Sequence, residues 1–311
     1  MQLYEAINLS RNLLVIGILL DIFAFALLLY SNYIRRSIMV KTKGKKALPT
    51  VFLLILILFA ISFSCYFFTD DNLCLYFGSS LFCFSLVLTI THIWNYSQVS
   101  GIQDTMLNLL ECIEGIIEAG DKNLDGHSMH VKELSMLIYE FLPWDKKQKI
   151  NPYNLQYAAL LLDIGKLGIP REIIDKDGKL TEEEWSLIKR HPEIGTKILD
   201  SIPSFEIIRE WIKYHHERVD GSGYYKLTQE EIPLASRILA VADTYSALTM
   251  NRSYKAAIPY ESAISELKLV SGSQLDKEIV DIFCIIPISR IESCKEDVEK
   301  KMETYQLEHF R

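Results

Sequence analysis

Three almost unbroken apolar runs open the chain, and apolar positions at spacings of three and four recur through most of the remainder. The runs occupy residues 13–30, 48–68 and 73–94. Each is close to the roughly 17–25 residues that cross about 30 Å of hydrocarbon. Three in succession leave no polar face to meet water, which predicts transmembrane helices rather than buried core helices. No small-residue cleavage site follows the first run, so a signal peptide fits it poorly. The loop at 31–47 carries Arg35, Arg36, Lys41, Lys43, Lys45 and Lys46, whereas the loop at 69–72 carries Asp70 and Asp71. The positive-inside bias places the first loop in the cytoplasm, the N-terminus outside, and everything from about residue 95 in the cytoplasm. The expected location is the inner (cytoplasmic) membrane, multi-pass.

Behind the membrane domain (1–96), a connecting helix is expected over 97–120. Ile102, Met106, Leu109, Ile113 and Ile116 recur there at four, three, four and three, a seam of about two heptads. Such a seam suits a parallel homodimer that passes a membrane signal onward. It equally suits an amphipathic helix packed on its own domain. From 121 to 288 the pattern stays helical, strand alternation is absent, and Gly, Asp and Pro mark the turns, so the fold class is all-α. A final amphipathic helix over 289–311, with Ile291, Val298, Met302 and Tyr305 near helical spacing, reads as a packing or dimer helix.

Composition sharpens this division. The 311 residues are 49% hydrophobic with a formal charge of −7, and the mean hydropathy is +0.12. A disordered or collagen-like chain is not this apolar, and an isoelectric point near 5.6 argues against binding a nucleic-acid polymer. The six cysteines form no disulfide framework: Cys65, Cys74 and Cys83 lie in or beside the apolar runs, and Cys112, Cys284 and Cys294 face a reducing compartment. Asp21, inside the first run, is a costly charge that suits either a sensing role or a polar contact between helices.

The chemistry gathers after residue 120. An apolar run from Tyr157 ends at Asp163-Ile-Gly-Lys166, and a second from Ile238 ends at Asp243. A carboxylate closing an apolar helix opposes the helix dipole and requires a cationic partner. Arg or Lys alone would suffice, but His127, His191, His215 and His216 favour a metal, because imidazole and carboxylate together suit Fe, Mn, Zn or similar ions. Neighbours on a regular helix point about 100° apart, so His215 and His216 face one ion only at a helix end. Glu217-Arg-Val-Asp220-Gly221-Ser-Gly223 supplies the turn residues for such an end.

The strings His127-Ser128, Asp163-Ile-Gly-Lys166, His191-Pro-Glu-Ile-Gly195, His215-His216-Glu217, Asp220-Gly-Ser-Gly-Tyr224, Ala242-Asp243 and Arg252-Ser-Tyr-Lys255 occur in that order over about 165 residues. Together they resemble the HD-GYP subgroup of the HD metal-dependent phosphohydrolases. The resemblance implies an all-helical domain that hydrolyses cyclic di-GMP to a linear dinucleotide or mononucleotide with divalent ions. It implies Asp163 bridging two ions, His127 and Asp243 completing one site, and His191, His215 and His216 forming the other. Lys166 would contact the scissile phosphate, Arg252 and Lys255 would hold phosphate oxygens, and Tyr224 belongs to the substrate loop.

Three positions depart from that pattern. Leu162 stands where the resembled family has the histidine of its HD dyad, leaving six of seven ligands and a weakened first site. Tyr225 replaces the proline after Tyr224, and Ser246 replaces a usual aspartate. His130, one turn from His127, offers a substitute imidazole; a solvent-facing histidine is the plainer expectation. The sequence therefore supports two readings, a weakened cyclic di-GMP phosphodiesterase and a catalytically silent receptor or scaffold using the same site.

Overall fold

The computed structural model describes residues 97–115, 126–176, 178–250 and 257–309. The three apolar runs, Asp21, Ile116 and the Arg252–Lys255 pair lie outside the described residues. Among the described residues no helix is long and apolar enough to cross a membrane. The chain divides into two compact units, Met1–Gln103 and Asp104–Arg311, and the candidate chemistry lies in the second.

That unit is helical throughout its described residues. The single β feature among them is an isolated bridge between Ser271 and Leu275. The helix at 97–115 (α1) enters it, followed by α2 (His127–Phe141), α3 (Trp144–Lys147) and α4 (Pro152–Leu161). A 3-10 turn at Ile164–Gly168 leads to α5 (Arg171–Ile174), α6 (Glu182–Ile188), α7 (His191–Ile198) and α8 (Glu206–Lys213). Then come α9 (Leu234–Thr249), α10 (Tyr260–Leu269), α11 (Lys277–Ile285) and α12 (Ile288–His309).

Local chemistry sets several boundaries. Asn151 caps α4 by accepting from the Asn154 N–H at 3.0 Å, with Pro152 at the first helical position, where its missing N–H costs nothing. Thr181 and Glu184 form a reciprocal capping box at the start of α6. Asp276 caps α11 through the N–H groups of Glu278 and Ile279, and its second oxygen receives Arg237 at 2.5 Å.

Helix α2 packs against α4, α9 and α12, which buries Leu134, Ile138, Leu155 and Leu239 completely. Each such side chain stabilises the fold by about 1.5–3 kcal/mol relative to exposure. Helix α12 buries Ile291, Val298 and Met302 in the same core. It is therefore a packing helix, as its spacing predicts; the side chain of Tyr305 is outside the described residues. Helix α1 turns Leu107 and Leu110 toward the core, while Ile102, Leu109 and Ile113 of the heptad seam stay exposed. Met106 of the same seam also packs against the core, so the helix sits on its own domain partly through the seam, with Leu109 and Ile113 left outward.

Candidate metal centre

Two short segments are locked together first. Gly165, in the 3-10 turn after Asp163, lies so close to α7 that a Cβ there would fall 1.9 Å from the His191 carbonyl oxygen and 2.6 Å from the Gly195 nitrogen. Only glycine permits this approach. It fixes the Asp163 carboxylate beside His191, whose Nε2 is 3.4 Å from Asp163 Oδ1.

The cation expected beside Asp163 is Lys166, whose Nζ donates to Oδ2 at 2.6 Å. Burial pushes this carboxyl up, but Lys166 and the imidazoles of His191, His127 and His215 outweigh it and hold Asp163 well below the usual carboxylate range. Asp243 lies mid-helix in α9 rather than at a helix end, since the helix continues to Thr249. Its Oδ1 meets His127 Nε2 at 3.1 Å. Burial pushes its carboxyl up too, and His127 and His216 reverse the shift and hold it below its ordinary value.

The second group is tighter. Helix α8 stops at Lys213, and the turn after it presents both His215 and His216. The ligand nitrogens of His191, His215 and His216 all lie within 4.8 Å of one another. Their tautomers follow from the backbone, because carbonyl oxygens only accept. His191 Nδ1 donates to the Ile188 carbonyl at 2.8 Å and His215 Nδ1 to the Ile212 carbonyl at 2.6 Å. Each ring therefore presents Nε2, and the two Nε2 atoms face one another at 3.4 Å. Two neutral imidazoles arranged this way oppose lone pair to lone pair, which a shared cation resolves. Nitrogens bound to one ion at about 2.1 Å stand about 3–3.4 Å apart. Burial, partly countered by Asp163, pushes His191 down to about 4. It also lowers His216 well below its ordinary value. Both stay unprotonated near neutral pH, as metal ligands must. Geometry and protonation alike fit a divalent ion.

All six ligand candidates thus converge, His127 with Asp243, and His191 with Asp163, His215 and His216. Tyr224 packs against His216 with ring centroids 5.1 Å apart and the planes tilted by 43°, and burial together with Asp163 and Asp243 pushes its phenol up to about 12. The Lys189 ammonium lies 5.7 Å from the centre of the Tyr224 ring. Arg252 and Lys255 fall outside the described residues.

Leu162 has 0% exposure and belongs to the apolar core, so nothing of a ligand remains at that position. His130 is not solvent-facing: it is 1% exposed. Nor does it join the ligand group. Its Nδ1 lies 3.0 Å from Ser246 Oγ, and the same oxygen lies 2.9 Å from His127 Nδ1, whereas Asp243 is met by the other nitrogen of that ring. His130 therefore stands behind His127, and a shifted ion does not reach it through this arrangement.

One further residue stood in the motif strings without a role. Glu217 is buried and accepts from the Tyr225 N–H at 2.6 Å and the Leu227 N–H at 2.7 Å, stapling the Tyr224 loop to the histidine pair. Gly223 makes this possible, since a Cβ there would fall 2.7 Å from Glu217 Oε1. A carboxylate directly after the histidine pair and before a glycine turn was the available hint.

Comparison with known proteins identifies the family. The family model of the HD domain matches residues 111–279, more than half of the chain. The chain belongs to the HD domain family, and its motifs place it in the HD-GYP subgroup. A cyclic di-GMP phosphodiesterase of Thermotoga maritima is 37% identical over 184 residues, covering 58% of this chain and 49% of the relative. A 3'3'-cGAMP-specific phosphodiesterase of Vibrio cholerae is 36% identical over 174 residues, covering 54% and 37%. This HD-GYP chain therefore spans about half or less of the length of these curated relatives. Among solved structures, an HDG"Y"P protein of Bdellovibrio bacteriovorus aligns with TM-score 0.43 and 17% identity over 82% of this chain and 78% of its own.

Proposed function

We propose that the chain is a membrane-anchored, metal-dependent phosphodiesterase acting on cyclic di-GMP or a closely related cyclic dinucleotide, with one metal site weakened by Leu162. The observation that carries this reading is the pair of Nε2 atoms of His191 and His215 facing each other at 3.4 Å, both Nδ1 hydrogens committed to carbonyls. The relatives' activities give the substrate class.

Asp163, His191, His215 and His216 would hold one ion, and His127, Asp243 and Asp163 a second, more weakly. When bound, such ions polarise a phosphodiester oxygen and make water a competent nucleophile near neutral pH. The chain's own groups do the rest. Water adds to phosphorus and releases one proton to solvent, the bond to the ribose oxygen breaks, and the departing oxygen takes a proton that the Lys166 ammonium can supply and regain from solvent. Tyr224, held by Glu217, closes one wall over His216. Arg252 and Lys255 are proposed to hold phosphate oxygens. The three apolar runs are proposed to anchor the chain in the inner membrane with the catalytic unit in the cytoplasm. The exposed seam of Leu109 and Ile113 is proposed to pair two copies.

The second reading, a receptor that binds the dinucleotide without cleaving it, is favoured by one observation, the burial of Leu162 in the core. Turnover of cyclic di-GMP by the full chain loaded with Mn or Fe, beside a Leu162→His variant, separates the two. The phosphodiesterase reading expects slow turnover in the parent and at least about tenfold more in the variant. An inert parent that still binds the dinucleotide by calorimetry establishes the receptor reading instead.

A further inference from the structure

One buried polar chain lies outside the ligand set: His127 Nδ1, Ser246 Oγ and His130 Nδ1, linked at 2.9 and 3.0 Å. Ser246 is wholly buried and His130 nearly so. The chain ends at His130 Nε2, a buried nitrogen with no hydrogen-bond partner among the described residues. We propose that Ser246 and His130 together act as the positioning pair for the first metal site, holding the Nδ1 hydrogen of His127 so that its Nε2 lone pair faces the ion. The proposal rests on the metal-centre reading given under the proposed function.

Donor and acceptor roles decide the matter. A histidine that binds a metal through one nitrogen donates from the other, usually to a carboxylate, a carbonyl or water. His191 and His215 use carbonyls for this, as their geometry shows. The oxygen at hydrogen-bond distance from His127 Nδ1 is a hydroxyl, which can donate as well as accept. If the hydroxyl hydrogen pointed at His127, the ring would carry its proton on Nε2 and turn an N–H toward the ion. His127 Nε2 stands 3.1 Å from Asp243 Oδ1, and a carboxylate only accepts, so without an ion the ring carries its hydrogen on Nε2, Ser246 donates to Nδ1 and His130 Nδ1 donates to Ser246. With an ion on Nε2 the chain would run the other way: Ser246 accepts from His127 and donates to His130, whose own hydrogen then sits on Nε2, a reversal that a second imidazole permits because either of its nitrogens can carry the proton. The serine–histidine pair so replaces a single acceptor oxygen. Burial keeps His130 neutral, pushing it down to about 3, with His127 and Lys295 adding to the shift, so one of its ring nitrogens is always free to accept.

The test uses the full chain with Ser246→Ala, His130→Gln, Ser246→Asp and the Ser246→Asp/His130→Gln double variant. Mn binding is followed by calorimetry, and the first-site step is identified as the one lost in Asp243→Ala. Ser246→Ala should weaken that step about 10–100-fold and leave the His191–His215–His216 step unchanged. His130→Gln should weaken the step when Ser246 is present. Combined with Ser246→Asp it should have no further effect, because a carboxylate only accepts and needs no second residue to orient it. A role that is merely structural predicts the same loss in both backgrounds and overturns the proposal, as does an unaltered first step in Ser246→Ala. Nitrogen-15 and proton spectra of histidine-labelled protein give a second readout. With Zn as a diamagnetic ion, the His127 Nδ1 proton should be a slowly exchanging signal in the parent and should exchange away in Ser246→Ala. If the parent shows no Asp243-dependent step, the two-ion reading fails by itself. Metal-free spectra then decide the pair, because an identical His127 signal in parent and Ser246→Ala shows that Ser246 sets nothing.

Discussion

Leu162 and Asp163 are neighbours in the chain, yet one fills the apolar core and the other faces Lys166 and three imidazoles. Adjacent residues at a helix end point about 100° apart, so a single turn serves both purposes. Buried histidines give this region a distinctive response to acid. His130 is held near 3 in the folded chain by burial, with His127 and Lys295 adding to the shift, against about 6.5 when unfolded. Between those values the unfolded chain holds one more proton than the folded one, so stability falls as pH falls, by about 1.4 kcal/mol per unit. Urea denaturation of the metal-free protein at pH 6.5 and 5 should therefore show the parent losing about 2 kcal/mol more than His130→Gln. Equal losses would remove His130 as a buried neutral group. At this scale the sequence yielded the ligand types but not their orientation. The partners that fix His191 and His215 are the carbonyls of Ile188 and Ile212, and a main-chain acceptor leaves no mark in side-chain identity.

Elements position these residues through a few buried polar anchors. Glu217 joins the histidine turn to the loop bearing Tyr224 by two charge-assisted hydrogen bonds, each worth about 1.5–3 kcal/mol. Glu217→Ala should raise KM for the dinucleotide about tenfold or more with kcat and metal content little changed; loss of metal instead would place Glu217 in the ligand scaffold. A second anchor ties the incoming helix to the first ligand helix. Lys132 of α2 pairs with Glu111 of α1 and with Glu133 at 2.8 Å, and Lys301 of α12 reaches Glu111 at 3.2 Å. Removing one member of a buried pair leaves an uncompensated charge, at about 3–5 kcal/mol. Because Glu133 still compensates Lys132, Glu111→Gln should cost less than that, about 1.5–3 kcal/mol of unfolding stability for the lost charge-assisted hydrogen bonds, measured by urea denaturation. The end of α4 just before Asp163 was legible, because an apolar run followed by a glycine turn is a local signal. The continuation of α9 beyond Asp243 was not, since an interior carboxylate reads locally as an end and is tolerated here only through His127.

Across the whole chain, sequence pattern divides an apolar third from a helical domain, and the metal-centre residues all lie in the latter. Motif order made the HD-GYP relationship readable without coordinates, because ligands drawn from separate segments must each keep their own local string. The tertiary pairings were not readable: Ser246 with His127 and His130, and the split of the heptad seam between a core-facing Met106 and the exposed Leu109 and Ile113, depend on how distant helices pack. At this scale the central claim is that His191, His215, His216 and Asp163 hold a divalent ion on which cleavage of a cyclic dinucleotide depends. The most direct measurement is cyclic di-GMP turnover by the full chain after chelation, after readdition of Mn, and in Asp163→Ala. No turnover is expected in the chelated protein, restoration is expected with Mn, and none in Asp163→Ala under either condition. Turnover that survives chelation, or that persists in Asp163→Ala, would contradict the claim.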